Sequence, residues 1–321
     1  MPSHHAILAF FKDADDELHC SPLLAGIPAV VRIMAGNSLA MTLENLKRTG
    51  IEPRLAILTG RLYPEERPAM VAVVREYFPA AEFLLVTASA DPFPSLQPLA
   101  VDRVRHLVIN PFPSPDGSGE EPRSRFLTAV TKLVEGRPWE IGDYVEAGTP
   151  VHEFFISSSD QKEELIAMVE RSIEGNIPRV DLLRQKGALL ADEMLENALY
   201  GAPRGEDGAK LYRKGEERVI RPDENIVFRF AFDGETVAME VSDGWGSLSP
   251  ELVIEHLARK QENGRFLDDA GGRGLFIIWR FLDHFHVSIT PGRQTVIGGQ
   301  IKGISPLNPE SPKGFHISTC P

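Results

Sequence analysis

Five short apolar runs, separated by amphipathic stretches, occupy the first 110 residues and constrain the fold of this region more than any other feature. The runs span residues 5–11, 29–36, 54–60, 82–88 and 104–110, and Gly, Pro or charged residues bound them. Parallel strands that are covered on both faces have this nearly continuous apolar pattern. Residues 38–49 and 65–77 have helical spacing and precede Gly50 and Pro79, which are typical helix stops. The pattern predicts an α/β fold with a doubly wound, five-stranded domain over residues 1–135.

The order and lengths of these elements resemble the receiver domain of response regulators. The resemblance implies an acidic pair after the first strand, a phosphorylatable Asp at the end of the third and a Lys-Pro after the fifth. Here Thr59 stands near the end of the third run, and Asn110-Pro111 follows the fifth. The acidic cluster 13–17 lies slightly late and is expected to be a solvated helix start. We therefore predict a pseudo-receiver that has no site for aspartyl phosphorylation.

Composition and charge limit the classes of function. A net charge of -12 and a pI near 5.3 argue against direct nucleic-acid binding, which needs Lys and Arg to neutralise phosphates. Cys20 and Cys320 belong to no Cys/His cluster, so neither a zinc site nor a disulfide framework is indicated. No signal peptide or membrane span is recognisable, and a cytoplasmic protein is expected. The length of 321 residues favours two domains, with a Pro/Gly/Ser-rich linker at residues 111–124.

The first of three motifs in the second half lies on a predicted helix over residues 180–200. Glu193 and Asn197 are four residues apart and project from the same face of that helix. A carboxylate can orient or deprotonate an attacking hydroxyl, and an amide oxygen beside it can ligate Mg²⁺. Taken alone, the same spacing is also typical of a solvated helix face.

The second motif, residues 237–251, is an alternating strand that ends at Asp243 and is followed by Gly244 and Gly246. An acidic residue at the end of a buried strand can accept a hydrogen bond from an adenine amino group. Neighbouring glycines let the backbone approach a flat base closely. A plain Asp-Gly turn is the alternative for this motif alone.

The third motif, residues 268–287, places Gly271, Gly272 and Gly274 before a helix that begins near Leu275. A Gly-rich turn that leads into a helix presents free N–H groups and the positive end of the helix dipole to phosphate. A tight connection without a ligand is the alternative. Residues 284–290 and 295–302 then read as an antiparallel hairpin joined through residues 291–294.

In this order the motifs resemble the N, G1 and G2 boxes of the GHKL superfamily of ATPases and kinases, and the resemblance covers about residues 153–302. It implies the Bergerat fold, a mixed and mostly antiparallel sheet under helices, over residues 136–310, with a tail at 311–321. It also implies ATP and Mg²⁺ as cofactors and a mobile lid between residues 247 and 271. The implied roles are a catalytic base for Glu193, a Mg²⁺ ligand for Asn197, adenine binding for Asp243 with Gly244 and Gly246, and phosphate binding for Gly271, Gly272, Gly274 and Leu275.

Two features depart from the family pattern. The usual G1 sequence is Asp-x-Gly-x-Gly, whereas Gly244 and Gly246 stand one and three places after Asp243. The bulky Trp245 lies inside this turn, where it either stacks on adenine or braces the loop. The second feature is Tyr200-Gly201-Ala202, which stands where many relatives have His or Tyr followed by a small residue and is a mild difference.

The motifs look most like the anti-sigma-factor serine kinases, which implies a serine/threonine protein kinase acting on a small partner. The implied partner is an anti-anti-sigma protein of the STAS type, another small regulatory protein or a sigma factor, and a homodimer is compatible with the family. A nucleotide-dependent binding module without catalysis, a histidine-kinase-like protein and a plain ATPase remain alternatives. No His-Glu-x-x-x-Pro box precedes Glu193, and His152 is expected to be structural. His284 and His286 are expected on an edge strand.

Overall fold

The computed structural model describes residues 6–27, 29–34, 39–62, 66–87, 96–109, 111, 120–175, 177–258, 273–302 and 313–320. The chain divides into two compact units, Met1–Pro138 and Trp139–Pro321, called here the N-terminal and the C-terminal unit. Both contain helices and a sheet, so the α/β class expected from the sequence is confirmed. No helix of the described residues is long and apolar enough to cross a membrane.

The N-terminal unit is built on parallel strands in the order β2-β1-β3-β4-β5. Its strands are β1 (Ile7–Phe11), β2 (Val30–Met34), β3 (Leu55–Thr59), β4 (Glu82–Thr87) and β5 (His106–Ile109). Its helices are α1 (Ala14–Leu24), α2 (Leu39–Arg48), α3 (Arg67–Tyr77), α4 (Leu96–Val101) and α5 (Glu120–Glu135). Each strand lies within one of the five apolar runs. β1 and β3 are buried at every residue, as strands covered on both faces are, whereas β2 at the edge is mostly half-buried and Arg32 is exposed. The predicted linker at 111–124 is wrong at its end, since α5 already begins at Glu120.

The acidic cluster after β1 is a helix start, but it is only partly solvated. Asp13 caps α1 by accepting a hydrogen bond from the backbone N–H of Asp16 at 2.9 Å. Asp16 is buried, and its carboxylate accepts a 2.6 Å hydrogen bond from the hydroxyl of Thr59 at the end of β3. The prediction of a solvated cluster is therefore wrong for Asp16, because that carboxylate gains a buried hydroxyl partner in place of water.

The C-terminal unit has a mostly antiparallel sheet in the order β11-β9-β10-β8-β7-β6, in which only the β11–β9 pair is parallel among the pairings described. The strands are β6 (His152–Phe155), β7 (Val227–Phe232), β8 (Thr236–Asp243), β9 (His284–Thr290), β10 (Gln294–Lys302) and β11 (Gly314–Thr319). The helices are α6 (Gln161–Ser172), α7 (Pro178–Glu196), α8 (Pro250–Ala258) and α9 (Arg273–Phe281). The predicted β9–β10 hairpin is present, and its connection is residues 291–293 because β10 begins one residue earlier than expected, at Gln294.

Two expectations for this unit are wrong. Residues 314–319 were expected in a tail but form β11, which pairs along the whole of β9. For that reason β9 is not an edge strand, and His284 and His286 are each only 1% exposed. The hydroxyl of Tyr144 lies 3.0 Å from His284 Nδ1 and 2.9 Å from His286 Nδ1, so both rings have a buried polar partner. His152, expected to be structural, stacks on Phe230 with ring centroids 4.9 Å apart.

Candidate functional site

The floor of the candidate site is one face of β8 and β10. Val241 and Asp243 alternate along β8, and they pair directly with Ile297 and Thr295 of β10. Because side chains alternate between the two faces of a strand, these four project to the same side of the sheet. The strand is buried along its whole length, so Asp243 is a carboxylate at the end of an apolar surface and is only 4% exposed.

One wall is the C-terminal end of α7, which carries Glu193 and continues into a π-helical turn, Asn197–Gly201. The backbone N–H of Ala202 donates to the carbonyl of Asn197 at 2.7 Å, which is the i→i+5 bond of a π turn. Single π-helical turns are rare in proteins, and those that do occur are often found at functional sites. The turn begins at Asn197, the residue for which the sequence predicts a Mg²⁺ role.

The N-terminus of α9 lies against Asn197. A Cβ atom added to Gly274 would stand 2.7 Å from both Nδ2 and Oδ1 of the Asn197 amide. A Cβ on Gly201 would stand 3.2 Å from Asn197 Oδ1. The two glycines therefore leave just enough room for the amide, and they bring a helix N-terminus next to it.

These walls enclose a cavity of about 730 Å³. Glu193, Asn197, Asp243, Gly274 and Leu275, all of them predicted site residues, line it. A volume of this size lies within the range of small-molecule sites, which is about 300–1,000 Å³. Gly271 and Gly272 lie outside the described residues, as does the part of the predicted lid at 259–271. The N-terminal part of that lid forms α8, from which Leu252 and His256 reach the cavity.

Gly244 and Gly246 do not line the cavity, but they shape the turn that presents Asp243. A Cβ on Gly244 would overlap the carbonyl oxygen of Asp223, and the Gly244 N–H donates to the Glu224 carbonyl at 2.6 Å. Gly246 has φ +55°, and a Cβ there would overlap the carbonyl oxygen of Thr290. Both positions exclude a side chain, so the shifted glycine pattern is a steric requirement of this turn.

Trp245, between the two glycines, is not among the residues that line the cavity, although Asp243 and Ser247 are. The guanidinium of Arg221 lies 5.7 Å from the centroid of its ring. Of the two roles left open by the sequence, bracing of the loop fits this placement and stacking on a ligand in the cavity does not.

The environment of Asp243 changes its acidity. Burial disfavours the charged form and raises the pKa of Asp243 to about 7, although hydrogen bonds from the backbone N–H groups of Trp245 and Gly246 act in the opposite direction. The Trp245 N–H donates to Oδ1 at 2.9 Å. A carboxylate has about four acceptor positions, so capacity remains for a donor in the cavity.

Two buried polar groups at the site lack partners among the described residues. They are Nδ2 of Asn197 and the hydroxyl of Thr295, which stands directly opposite Asp243. A buried polar group without a hydrogen bond is costly and calls for an explanation, such as an absent ligand. Asn197 Nδ2 is a donor and the Thr295 hydroxyl can donate or accept, so a ligand with an acceptor atom near Asn197 and a polar atom near Thr295 would satisfy both.

Sequence reasoning missed several lining residues. Thr295 could have been found from the hairpin register, because the pairing of β10 with β8 places it opposite Asp243. Three cations, Arg204, Lys210 and Lys214, also line the cavity from the segment after the π turn. The sequence gives little indication that these three cations line a cavity, since basic residues in a loop are ordinarily solvated.

The described residues contain no cluster of three or more His, Cys, Asp or Glu side chains that could hold a metal ion. A Mg²⁺ ion at Asn197 would therefore take most of its ligands from phosphate oxygens and water, as Mg²⁺ commonly does.

No protein-family model matches this chain, and no curated protein matches it. Among solved structures, the RcsB response regulator of Salmonella typhimurium, whose description concerns DNA interaction, matches with a TM-score of 0.28 and 8% sequence identity. The match covers 59% of this chain and 92% of that chain. A TM-score this low carries no argument about fold or function.

Proposed function

We propose that the C-terminal unit is an ATP- and Mg²⁺-binding domain of the GHKL type and that the protein is a serine/threonine kinase of a small regulatory partner. One observation carries the proposal: Glu193, Asn197, Asp243 and Gly274, from three separate sequence motifs, line the same cavity. Residues separated by up to 81 positions in the chain (193 to 274) would have no reason to meet if each motif were only a solvated face or a turn.

Asp243 and Thr295 would hold the adenine base of the nucleotide. The carboxylate accepts a hydrogen bond from the amino group of adenine, and the neighbouring hydroxyl can donate to a ring nitrogen or exchange a hydrogen bond with a bridging water. Val241, Ile297 and Leu248 supply apolar surface beside them. An acceptor at this position favours adenine over guanine, which presents a carbonyl oxygen where adenine has its amino group.

Asn197 and the N-terminus of α9 would hold the phosphates and the cation. Helix N–H groups and the dipole favour negative charge there, and the Asn197 amide supplies an oxygen ligand for Mg²⁺. Bound Mg·ATP would supply the transferable phosphoryl group together with the charge that neutralises it.

Glu193 would act on the hydroxyl of the partner. It lies one helical turn before Asn197, so its carboxylate can orient or deprotonate a serine or threonine that approaches the phosphate end. The N-terminal unit would be a receiver-like regulatory or docking module, and the partner an anti-anti-sigma protein of the STAS type, another small regulator or a sigma factor.

We expect Asp243→Asn to weaken ATP binding about tenfold, because the amide keeps one acceptor oxygen but loses the charge and adds a donor that opposes the adenine amino group. Titration of the protein with Mg·ATP by calorimetry measures the change. Asp160→Asn is a matched control, since Asp160 is exposed and its side chain caps no backbone group. Equal ATP affinity in wild type and Asp243→Asn would contradict the assignment of the base pocket.

Nucleoside affinity should depend on pH through Asp243. The pKa of Asp243 is raised to about 7, and the adenine amino group binds the ionised carboxylate, so a proton must leave when the ligand binds below that pH. Adenosine should therefore bind about tenfold more weakly at about pH 6 than at about pH 8. Adenosine is the suitable probe because it has no titrating group in this range. An adenosine affinity that rises as the pH falls would contradict the proposed coupling of binding to proton loss from Asp243. In the Asp243→Asn variant, adenosine affinity should not change with pH over this range.

A further inference from the structure

Residues 202–214, called here the basic hairpin, fold back on themselves beside the cavity. Arg204 and Lys210 form an antiparallel bridge, and the Gly205 N–H donates to the Ala209 carbonyl at 2.9 Å. Residues directly opposite each other in an antiparallel pair carry their side chains on the same face. Arg204 and Lys210 accordingly both line the cavity.

The basic hairpin turns most of its cations and none of its acids toward the cavity. Arg204, Lys210 and Lys214 line the cavity, whereas Arg213 and the acids Glu206 and Asp207 do not. Asp207 instead accepts a 2.9 Å hydrogen bond from the Ala209 N–H at the tip of the turn. Lys210 makes no ion pair with any residue that the structure describes. Glu193 and Glu196 also line the cavity, and Glu196 pairs with Lys214, but Lys210 has no such partner among the described residues. A lining cation of this kind is suited to an anionic group of the ligand.

Both ends of the basic hairpin are attached next to Asn197. Arg204 Nε donates to the carbonyl of Gly201 at 3.1 Å, and Gly201 packs against the Asn197 amide. At the other end, Lys214 Nζ pairs with the carboxylate of Glu196, the residue that precedes Asn197. The cations therefore gather at the Asn197 end of the cavity.

Asp243, which also lines the cavity, has no such neighbours. Burial raises its pKa, and only two backbone N–H groups oppose that effect, with no contribution from a cationic side chain. A nearby guanidinium or ammonium would stabilise the carboxylate and lower its pKa. The carboxylate of Asp243 is therefore not neutralised by a cation, whereas the three lining cations gather near Asn197, where Glu193 and Glu196 also line the cavity.

We infer that the basic hairpin is a clamp for the phosphate chain of the bound nucleotide, in which Arg204, Lys210 and Lys214 donate to phosphate oxygens while Asp243 holds the base. This inference rests on the proposed function, and it adds that affinity depends on the number of phosphates. The clamp selects nucleoside triphosphates over nucleosides by charge-assisted hydrogen bonds.

Lys214 can join the clamp without leaving a buried acid unpaired. Glu196 has a second cation, because Lys162 Nζ lies 3.2 Å from its Oε1. The Lys214 side chain is 71% exposed and can move, whereas Glu196 is 13% exposed. When Lys214 turns to a phosphate oxygen, Lys162 still neutralises Glu196, so the exchange avoids the cost of an uncompensated carboxylate.

The test compares ATP with adenosine in three variants of the full chain. Lys210→Gln is expected to weaken Mg·ATP binding about five- to tenfold, the value of one charge-assisted hydrogen bond in a partly exposed site, and to leave adenosine affinity unchanged. Arg204→Gln should act in the same direction, with an added loss from its contact to Gly201. Arg213→Gln is the matched control, since Arg213 belongs to the same hairpin but does not line the cavity. Thermal melting of each variant without ligand verifies folding.

The outcomes separate this inference from the proposed function. If wild type binds ATP and Lys210→Gln binds it equally well, the clamp is overturned while the nucleotide site stands. Parallel losses of ATP and adenosine affinity would also overturn the clamp, because they mean that the hairpin shapes the base pocket. A wild type that binds neither ligand refutes the proposed function and the clamp together.

Discussion

Replacing Glu193 by Gln should slow phosphoryl transfer from Mg·ATP to the partner by about a hundred- to ten-thousandfold, the usual contribution of a positioned general base. The affinity for ATP should change little, because the assigned contacts to base and phosphates come from Asp243, Asn197 and α9. Glutamine keeps the shape of the side chain and removes only its ability to take a proton. The defect should therefore appear in the transfer rate and not in the dissociation constant.

Single-turnover transfer to a purified STAS-type protein, followed by mass spectrometry of the phosphorylated serine or threonine, measures this effect. Glu164→Gln on α6 is the control, since Glu164 is exposed and does not line the cavity. Undiminished transfer by Glu193→Gln would remove the assigned role of Glu193. Nucleotide binding by wild type without transfer to any partner would instead favour a non-catalytic binding module.

Much of the fold was predictable because its signals are local. Each strand of the N-terminal unit is a short apolar run, and α2 and α3 follow the helical spacing between runs. The β9–β10 hairpin was predictable from strand alternation around residues 291–294. Local signals also located Glu193, Asn197, Asp243 and Gly274, since each belongs to a compact motif on one element.

Other features depend on contacts between distant segments, which sequence patterns do not report. The pairing of β11 with β9 buries His284 and His286, and nothing in residues 314–319 alone shows which strand they will join. The hydrogen bond from Thr59 to Asp16 joins the end of β3 to α1. At the cavity, the bridge between Arg204 and Lys210 turns two ordinary loop cations toward the ligand side.

The shifted glycines of the G1 turn illustrate the same limit. Their spacing departs from the pattern of the GHKL family that the motif resembles, and from the sequence alone this departure leaves catalytic competence open. The structure gives each glycine its own steric reason: Gly244 passes the carbonyl of Asp223, and Gly246 adopts a positive φ against Thr290. The close approach of the 223–224 and 290–293 segments therefore accounts for glycine at these two positions, independently of the family pattern.

Gly274→Ala is expected to weaken Mg·ATP binding by about ten- to a hundredfold, comparable to the loss of a supporting contact at a metal site. The added Cβ would stand 2.7 Å from both amide atoms of Asn197, which is closer than a carbon atom can approach. Since the amide is the end of a flexible side chain, the fold can accommodate the methyl group by turning Asn197 away. The variant should therefore keep its melting temperature and lose the dependence of ATP affinity on Mg²⁺.

Titrations of ATP with and without Mg²⁺ distinguish this mechanism from general damage. Gly142→Ala is the matched control, because a Cβ at Gly142 meets no atom within 4 Å. Adenosine should bind Gly274→Ala as well as wild type, since Asp243 and Thr295 are untouched. If Mg²⁺ still strengthens ATP binding in Gly274→Ala as much as in wild type, Asn197 is not the magnesium ligand. In that case the contact between the π turn and α9 serves only to pack the two helices.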